Sequence, residues 1–279
     1  MKKMKLTKKN KKELKKALPV GTVLTISAAG SEMSNSSVIT KEEGWVKRGY
    51  SSDYGRPRFA IMNPELTMTP PDYQTACGCT DILMHTMERY FNHCDNMELT
   101  DGISEHLLRT VMKNAKILMD EPQCYKARAE VMWAGSLSHN GLMACGNDGG
   151  DWACHQLEHE LGGMFDVAHG AGLAAVWGSW ARYVCDALPD RFEQFAVNVM
   201  GVENGDDKNA VIQKGIEAME NFFRQIEMPT DLGGLNIEVS EDQMKELALK
   251  CSHFGKRTIG CVKKLNQEDI YRIYQKAAD

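Results

Sequence analysis

The chain is defined first by what it lacks. None of its 279 residues belongs to a run of about 18 apolar residues, so no segment is expected to span a membrane. Its basic start is followed by no apolar stretch, which argues against a secretory signal. No Cys-x-x-Cys pair occurs, and the nine cysteines are odd in number and scattered. That excludes a disulfide framework and suggests reduced, mostly buried thiols in a cytoplasmic protein. There is no excess of positive charge. The net charge of −5 argues against nucleic acid as the main partner, because phosphate binding needs a basic face. Gly-x-Gly-x-x-Gly is also missing. The glycine-rich stretch Gly146-Asn147-Asp148-Gly149-Gly150 follows a helical segment rather than a strand, so it is expected to be a helix–helix loop.

What is present is enough apolar residue, 43%, to bury a sizeable core. Nine lysines fall in the first sixteen residues, which suggests a solvated, partly helical or frayed end more than an anionic-surface binder. Val20–Ser27 is β-rich, Val38-Ile39 suggests a second strand, and Phe59–Met62 a third, stopped by Asn63-Pro64. Residues 41–58 are expected to form a loop or hairpin. From Pro70-Pro71-Asp72, which has proline in the first turn of a helix, the period changes. Helical segments are expected to Phe91 and near 101–118, 121–143, 151–163, 170–187, 189–200, 207–227, 240–253 and 266–278. The organisation is a strand-and-loop part, 1–69, and a helical part, 70–279.

Two patterns carry chemistry. Asp81 and His85 are four residues apart, which puts both side chains on one helix face. By itself this is equally an ordinary helix pair. In HQLEHELGGMFDVAHG, His155 and His159 are one turn apart and His169 follows just before another helix. Three of the chain's eight histidines therefore fall within fifteen residues, a much more specific sign of a divalent-metal site than scattered core histidines. His159-Glu160 is not completed to His-Glu-x-x-His, which disfavours a zinc protease.

The stretches LTISAAGSEMSNSSVIT, RPRFAIMNPELT, TDILMHTMERYF, MWAGSLSHNGL, HQLEHELGGMFDVAHG and IGCVKKL resemble the iron-containing alcohol dehydrogenase family, in its butanol dehydrogenase branch. The resemblance runs through nearly the whole chain after about residue 17. It implies a mainly α fold: a helical, dehydroquinate synthase-like metal-binding domain preceded by a small remnant of an α/β nucleotide-binding domain. It implies Asp81, His85, His155 and His169 as ligands of Fe(II) or Zn(II), with His159 the extra histidine near nicotinamide and substrate, where it would relay a proton, hydrogen-bond the cofactor or simply pack. Thr25, Ser31, Lys47 and Leu66 fall in regions that line the nicotinamide end of NADP(H) or NAD(H). The helix with Trp133 and Leu137 resembles the substrate-facing helix, where these two either line an apolar pocket or pack in the core.

The implied activity is reversible interconversion of short aldehydes and primary alcohols, possessed by a homodimer in the family. The family's Gly-Gly-Gly-Ser phosphate loop has no counterpart here. The chain is therefore expected to be truncated and to bind a dinucleotide weakly. A catalytically impaired metal-binding remnant, or a subunit that borrows its cofactor half, stays open beside the active enzyme. So does a glycerol dehydrogenase or dehydroquinate synthase relative.

Overall fold

In the computed structural model, which describes residues 16–279, every strand lies before residue 62 and every α-helix after residue 71. The lysine-rich start lies outside the described residues. β1 (Gly21–Val23) pairs in parallel with β4 (Phe59–Ile61). β2 (Ser36–Lys41) and β3 (Val46–Ser51) form an antiparallel hairpin in which Ile39 lies opposite Arg48. The stretch 41–58, expected as loop or hairpin, thus supplies the hairpin's second strand. The expected strand Val20–Ser27 is cut to Gly21–Val23, which pairs with the three residues of β4; the chain then turns at Gly30, whose carbonyl accepts from the amides of Met33 and Ser34.

The helices are α1 (Asp72–Tyr90), α2 (Glu98–Asp120), α3 (Tyr125–His139), α4 (Ala153–Phe165), α5 (His169–Val184), α6 (Pro189–Asn198), α7 (Lys208–Gln225), α8 (Glu241–Cys251) and α9 (Gln267–Ala278). Among the helices, the clearest departure from the sequence reading is α3, shorter at both ends than 121–143. Glu121 precedes Pro122, which disfavours helical backbone there, and Gly141 at φ +100° ends the run. Reciprocal capping boxes fix the starts of α8 (Ser240, Gln243) and α9 (Asn266, Asp269).

α1 is the axis of the helical part. It is buried from Thr75 to Tyr90 and packs on α2, α3 and α5. Around its end Phe91, Trp180, Phe192 and Phe195 interlock, with Phe91 stacked 4.4 Å from Phe192. Such a helix needs close approach on several sides. At Gly170, in the first turn of α5, a Cβ would stand 2.1 Å from the Cys77 carbonyl oxygen. Only glycine lets α5 start against the α1 backbone, and this contact brings His169 beside Asp81.

The start of α4 is fixed just as tightly. The Asp151 amide donates to the Glu88 carbonyl at 2.7 Å. The Asp151 carboxylate accepts from the amides of Ala153 (3.0 Å), Cys261 (2.6 Å) and Val262 (2.8 Å), tying the α8–α9 connection to the site helix. Each bond to a charged acceptor is worth about 1.5–3 kcal/mol, and the donors would be left buried and unpaired without it. Asp151→Ala is therefore expected to destabilise the protein by about 2–4 kcal/mol in urea unfolding, with the far-ultraviolet spectrum of the folded state unchanged.

Candidate metal centre

Asp81 and His85 lie one turn apart on α1, His155 is in the first turn of α4, and His169 is the first residue of α5. Two consecutive helices and one remote in sequence therefore aim at one point. Asp81 Oδ1 stands 3.6 Å from His85 Nδ1, 3.5 Å from His155 Nε2 and 3.6 Å from His169 Nε2. These separations are long for hydrogen bonds. Asp81 Oδ1, His85 Nδ1 and His155 Nε2 are all buried and have no hydrogen-bond partner. Unpaired buried polar atoms are costly, and these three face one another. Donors at about 2.1 Å from a shared tetrahedral ion stand about 3.4 Å apart. The three separations from Asp81 fit that pattern, and one carboxylate with three imidazoles suits a divalent transition metal. The ligand atoms of Asp81, His85 and His155 lie mutually within 4.8 Å, while His169 reaches them through Asp81 and shares a second such group with Glu158 and His159.

Two buried carboxylates stand behind the imidazoles. Glu88 Oε1 accepts from the His155 amide at 2.9 Å and lies 3.2 Å from His155 Nδ1. Glu158 Oε2 accepts from His169 Nδ1. Both rings have Nε2 toward Asp81; the His169 ring is held there by Glu158, whereas His155 Nδ1 makes no hydrogen bond. On the other side of the cluster, His139 from the end of α3 lies 4.1 Å from the His85 ring, centre to centre. Arg89 Nη2 donates to His139 Nδ1 at 3.1 Å, so the neutral ring carries its proton on Nε2, 3.2 Å from Ser36 Oγ. Trp152 closes this wall, 5.2 Å from His155 and under the Arg89 guanidinium at 4.5 Å. Its φ of +61° is unusual for so bulky a residue.

Burial sets the charge states. Burial resists ionisation of Asp81, but the imidazoles of His85, His155 and His169 overcome it and hold the carboxyl below its usual range. Burial pushes His85 well below its usual value. It pushes His139 down to about 4, helped by the Arg89 charge, and His159 down to about 3 against the pull of Glu158.

Asp81, His85, His155 and His169 thus come together, and His159 stands beside them, 5.9 Å from the His169 ring. Lys47 lies on β3 with its Nζ 3.3 Å from Glu158 Oε1. Thr25 follows β1, Ser31 is on the turn after it, and Leu66 is on a short turn after β4; all three are exposed. Trp133 and Leu137 lie elsewhere. They line a groove of about 660 Å³ between α2 and α3 with Leu99, Ile103 and His106, and none of the four convergent residues lines it. Leu99 is 77% exposed and Trp133 56%, so neither face is ordinary core. Glu88, Glu158 and His139 were not singled out from the sequence. For the two glutamates a signal existed: each lies three residues after a convergent histidine, on the same helix face.

Residues 75–278 match the Fe-containing alcohol dehydrogenase family in its C-terminal part, and residues 1–64 match the description iron-containing alcohol dehydrogenase. Among curated proteins, the NADH-dependent butanol dehydrogenase A of Clostridium acetobutylicum is 36% identical over 270 residues, covering 96% of this chain and 69% of that protein. The NADPH-dependent aldehyde reductase YqhD of Escherichia coli is 33% identical over 266 residues, 95% of this chain and 68% of that protein. Among solved structures, NADH-dependent butanol dehydrogenase A from Thermotoga maritima superposes with a TM-score of 0.89 at 36% identity, over 95% of this chain and 67% of that one.

A pH test follows from the buried neutral histidines. The unfolded chain protonates His139 near its ordinary value of 6.5, and the folded chain only near 4. Between these values the unfolded state binds more protons, so acidification costs stability. Relative to His139→Gln, the metal-free wild type is expected to lose stability as pH falls from 6.5 to about 4, read as denaturant midpoints at each pH.

Proposed function

Since the chain belongs to the iron-containing alcohol dehydrogenase family, we propose that it interconverts short-chain aldehydes and primary alcohols by hydride transfer with NADP(H) or NAD(H), around a divalent ion, Fe(II) or Zn(II), held by Asp81, His85, His155 and His169. The observation that carries this is the convergence of His85 Nδ1, His155 Nε2 and His169 Nε2, from α1, α4 and α5, at 3.5–3.6 Å from Asp81 Oδ1, with the Asp81, His85 and His155 atoms buried and without hydrogen-bond partners. The similarity to butanol dehydrogenases and to an aldehyde reductase supports the substrate class. Both nicotinamide forms occur among those relatives, so the choice between them stays with the experiment.

When bound, such an ion supplies Lewis acidity at the substrate oxygen, and the nicotinamide supplies the hydride. The protein's own residues do the rest. Asp81 brings the one negative charge of the ligand set. Glu88 lies against His155, its Oε1 bonded to the His155 amide and 3.2 Å from the ring's Nδ1. His159, kept neutral by burial, is a hydrogen-bonding group beside the centre, a role to which it is better suited than to proton uptake at pH 7. Thr25, Ser31 and Leu66, in the part up to residue 69, are assigned to the nicotinamide side on the strength of the family resemblance. The groove under Trp133 and Leu137 lies away from the centre, so a substrate role for these two has no support from its position.

The deciding experiment loads the metal-depleted protein anaerobically with Zn(II) or Fe(II) and follows NADH and NADPH oxidation with butanal. About one tightly bound ion per chain is expected, with turnover that depends on it, and Asp81→Ala is expected to lose both. Turnover independent of metal would overturn the proposal. Stoichiometric metal without turnover would leave a metal-binding scaffold of this ancestry.

A further inference from the structure

The metal reading names ligands but leaves unexplained a buried ion pair behind one of them. Glu158 has no exposed side-chain surface, and its two oxygens lie 3.3 and 3.4 Å from Lys47 Nζ. Its Oε2 also accepts from His169 Nδ1. A buried ion pair rarely stabilises a fold better than apolar residues of equal volume, so its presence here calls for a reason other than stability. The space it occupies is also specific. A Cβ at Gly162 would stand 2.6 Å from both Glu158 Oε1 and Lys47 Nζ, and one at Gly172 would stand 2.9 Å from Glu158 Cγ. Two glycines on two helices, α4 and α5, thus leave a slot that the pair fills.

We propose that Glu158 is a positioning residue, held by Lys47 in the slot between Gly162 and Gly172, which fixes the tautomer and angle of His169 so that Nε2 faces the centre. A carboxylate on Nδ1 keeps the proton there, leaves Nε2 as the free lone pair and raises its donor strength. Lys47 comes from β3, so the hairpin has a direct hand in the helical site. Its ammonium is engaged with Glu158, which is a different use from contact with a cofactor. The inference rests on the metal reading above and deepens it.

The test uses the full-length, metal-depleted protein with Co(II) as probe, read by its absorption bands and by competition with Zn(II). Glu158→Ala is expected to weaken Co(II) binding about 10–100-fold, as loss of an outer partner typically does. Glu158→Gln keeps the shape and an acceptor but loses the charge. It is expected to bind several-fold more weakly, with shifted Co(II) bands. Gly162→Ala alters no charge but puts a methyl group where the ends of Glu158 and Lys47 now sit, so Co(II) affinity should fall and its bands shift while the far-ultraviolet spectrum of the metal-free protein stays that of the wild type. That split separates positioning from a merely structural role. If the wild type binds Co(II) and both Glu158→Gln and Gly162→Ala match it within about twofold with unchanged bands, Glu158 does not position the site. If the wild type itself binds no more Co(II) than Asp81→Ala, the metal reading falls, and this inference with it.

Discussion

A carboxylate sealed from water needs positive charge or donors around it, and Asp81 is the point at which this protein meets that requirement. Its Oδ1 has no hydrogen-bond partner, and three imidazoles stand at nearly equal distances from it. Everything nearby is arranged to permit that burial. α1 is the most enclosed helix among the described residues although it carries Asp81, His85, Glu88 and Arg89 along its length. A helix of that composition would ordinarily lie at the surface with its charges in water. Here each charge has a stated counterpart: Glu88 with His155, Arg89 with the His85 carbonyl and the His139 ring, Asp81 with the three histidines. The central helix is a polar element in an apolar place, and the centre is what accounts for it.

The surroundings divide into two chemically different walls. On the Glu158 side, carboxylate and ammonium fix the orientation of His169, while His159 stays neutral. On the Arg89 side, a cation fixes the His139 tautomer and lies over Trp152, whose backbone is held in the left-handed region. One wall thus carries a paired carboxylate and ammonium, and the other a guanidinium set against two rings.

The sequence made part of this legible for clear reasons. Spacings of three and four on one helix are set by helix geometry, so Asp81 with His85 and His155 with His159 were visible as faces. Breakers also located the helices well: Pro189 at the start of α6, and the prolines before Asp72, match the observed boundaries. What spacing cannot tell is which neighbour a face meets. Trp133 and Leu137 do share a face, but it turns to α2 and a groove, while Gly135 and His139, also four apart, share another that turns inward. His139 joins the site only because α3 ends there, a tertiary fact with no local signal. Thr25, Ser31 and Leu66 depended wholly on family likeness, and their exposure neither supports nor removes that assignment. The nine cysteines fit the expectation of free thiols, with Cys145 as the exposed exception.

The hairpin and the site helix show why the strand part and the helical part act together. Lys47 and Arg48 are consecutive on β3, so their side chains leave on opposite faces of the strand. Glu158 and Glu160 are two apart on α4, which places them about 200° apart around the helix axis. Lys47 meets Glu158 and Arg48 meets Glu160 at 2.7 Å, so the strand grips the helix from both sides. Between the two contacts the helix offers Gly163, where a Cβ would stand 2.7 Å from the Trp45 carbonyl oxygen. Arg48 continues to the Lys250 carbonyl and brings α8 into the same clamp. The period of two in a strand and the period of 3.6 in a helix rarely allow adjacent pairs to match. Here they do, at the one turn of α4 that lies between His155 and the residues leading to His169. The hairpin thereby restricts rotation of α4 about its own axis, the motion that would most directly turn His155 away from Asp81.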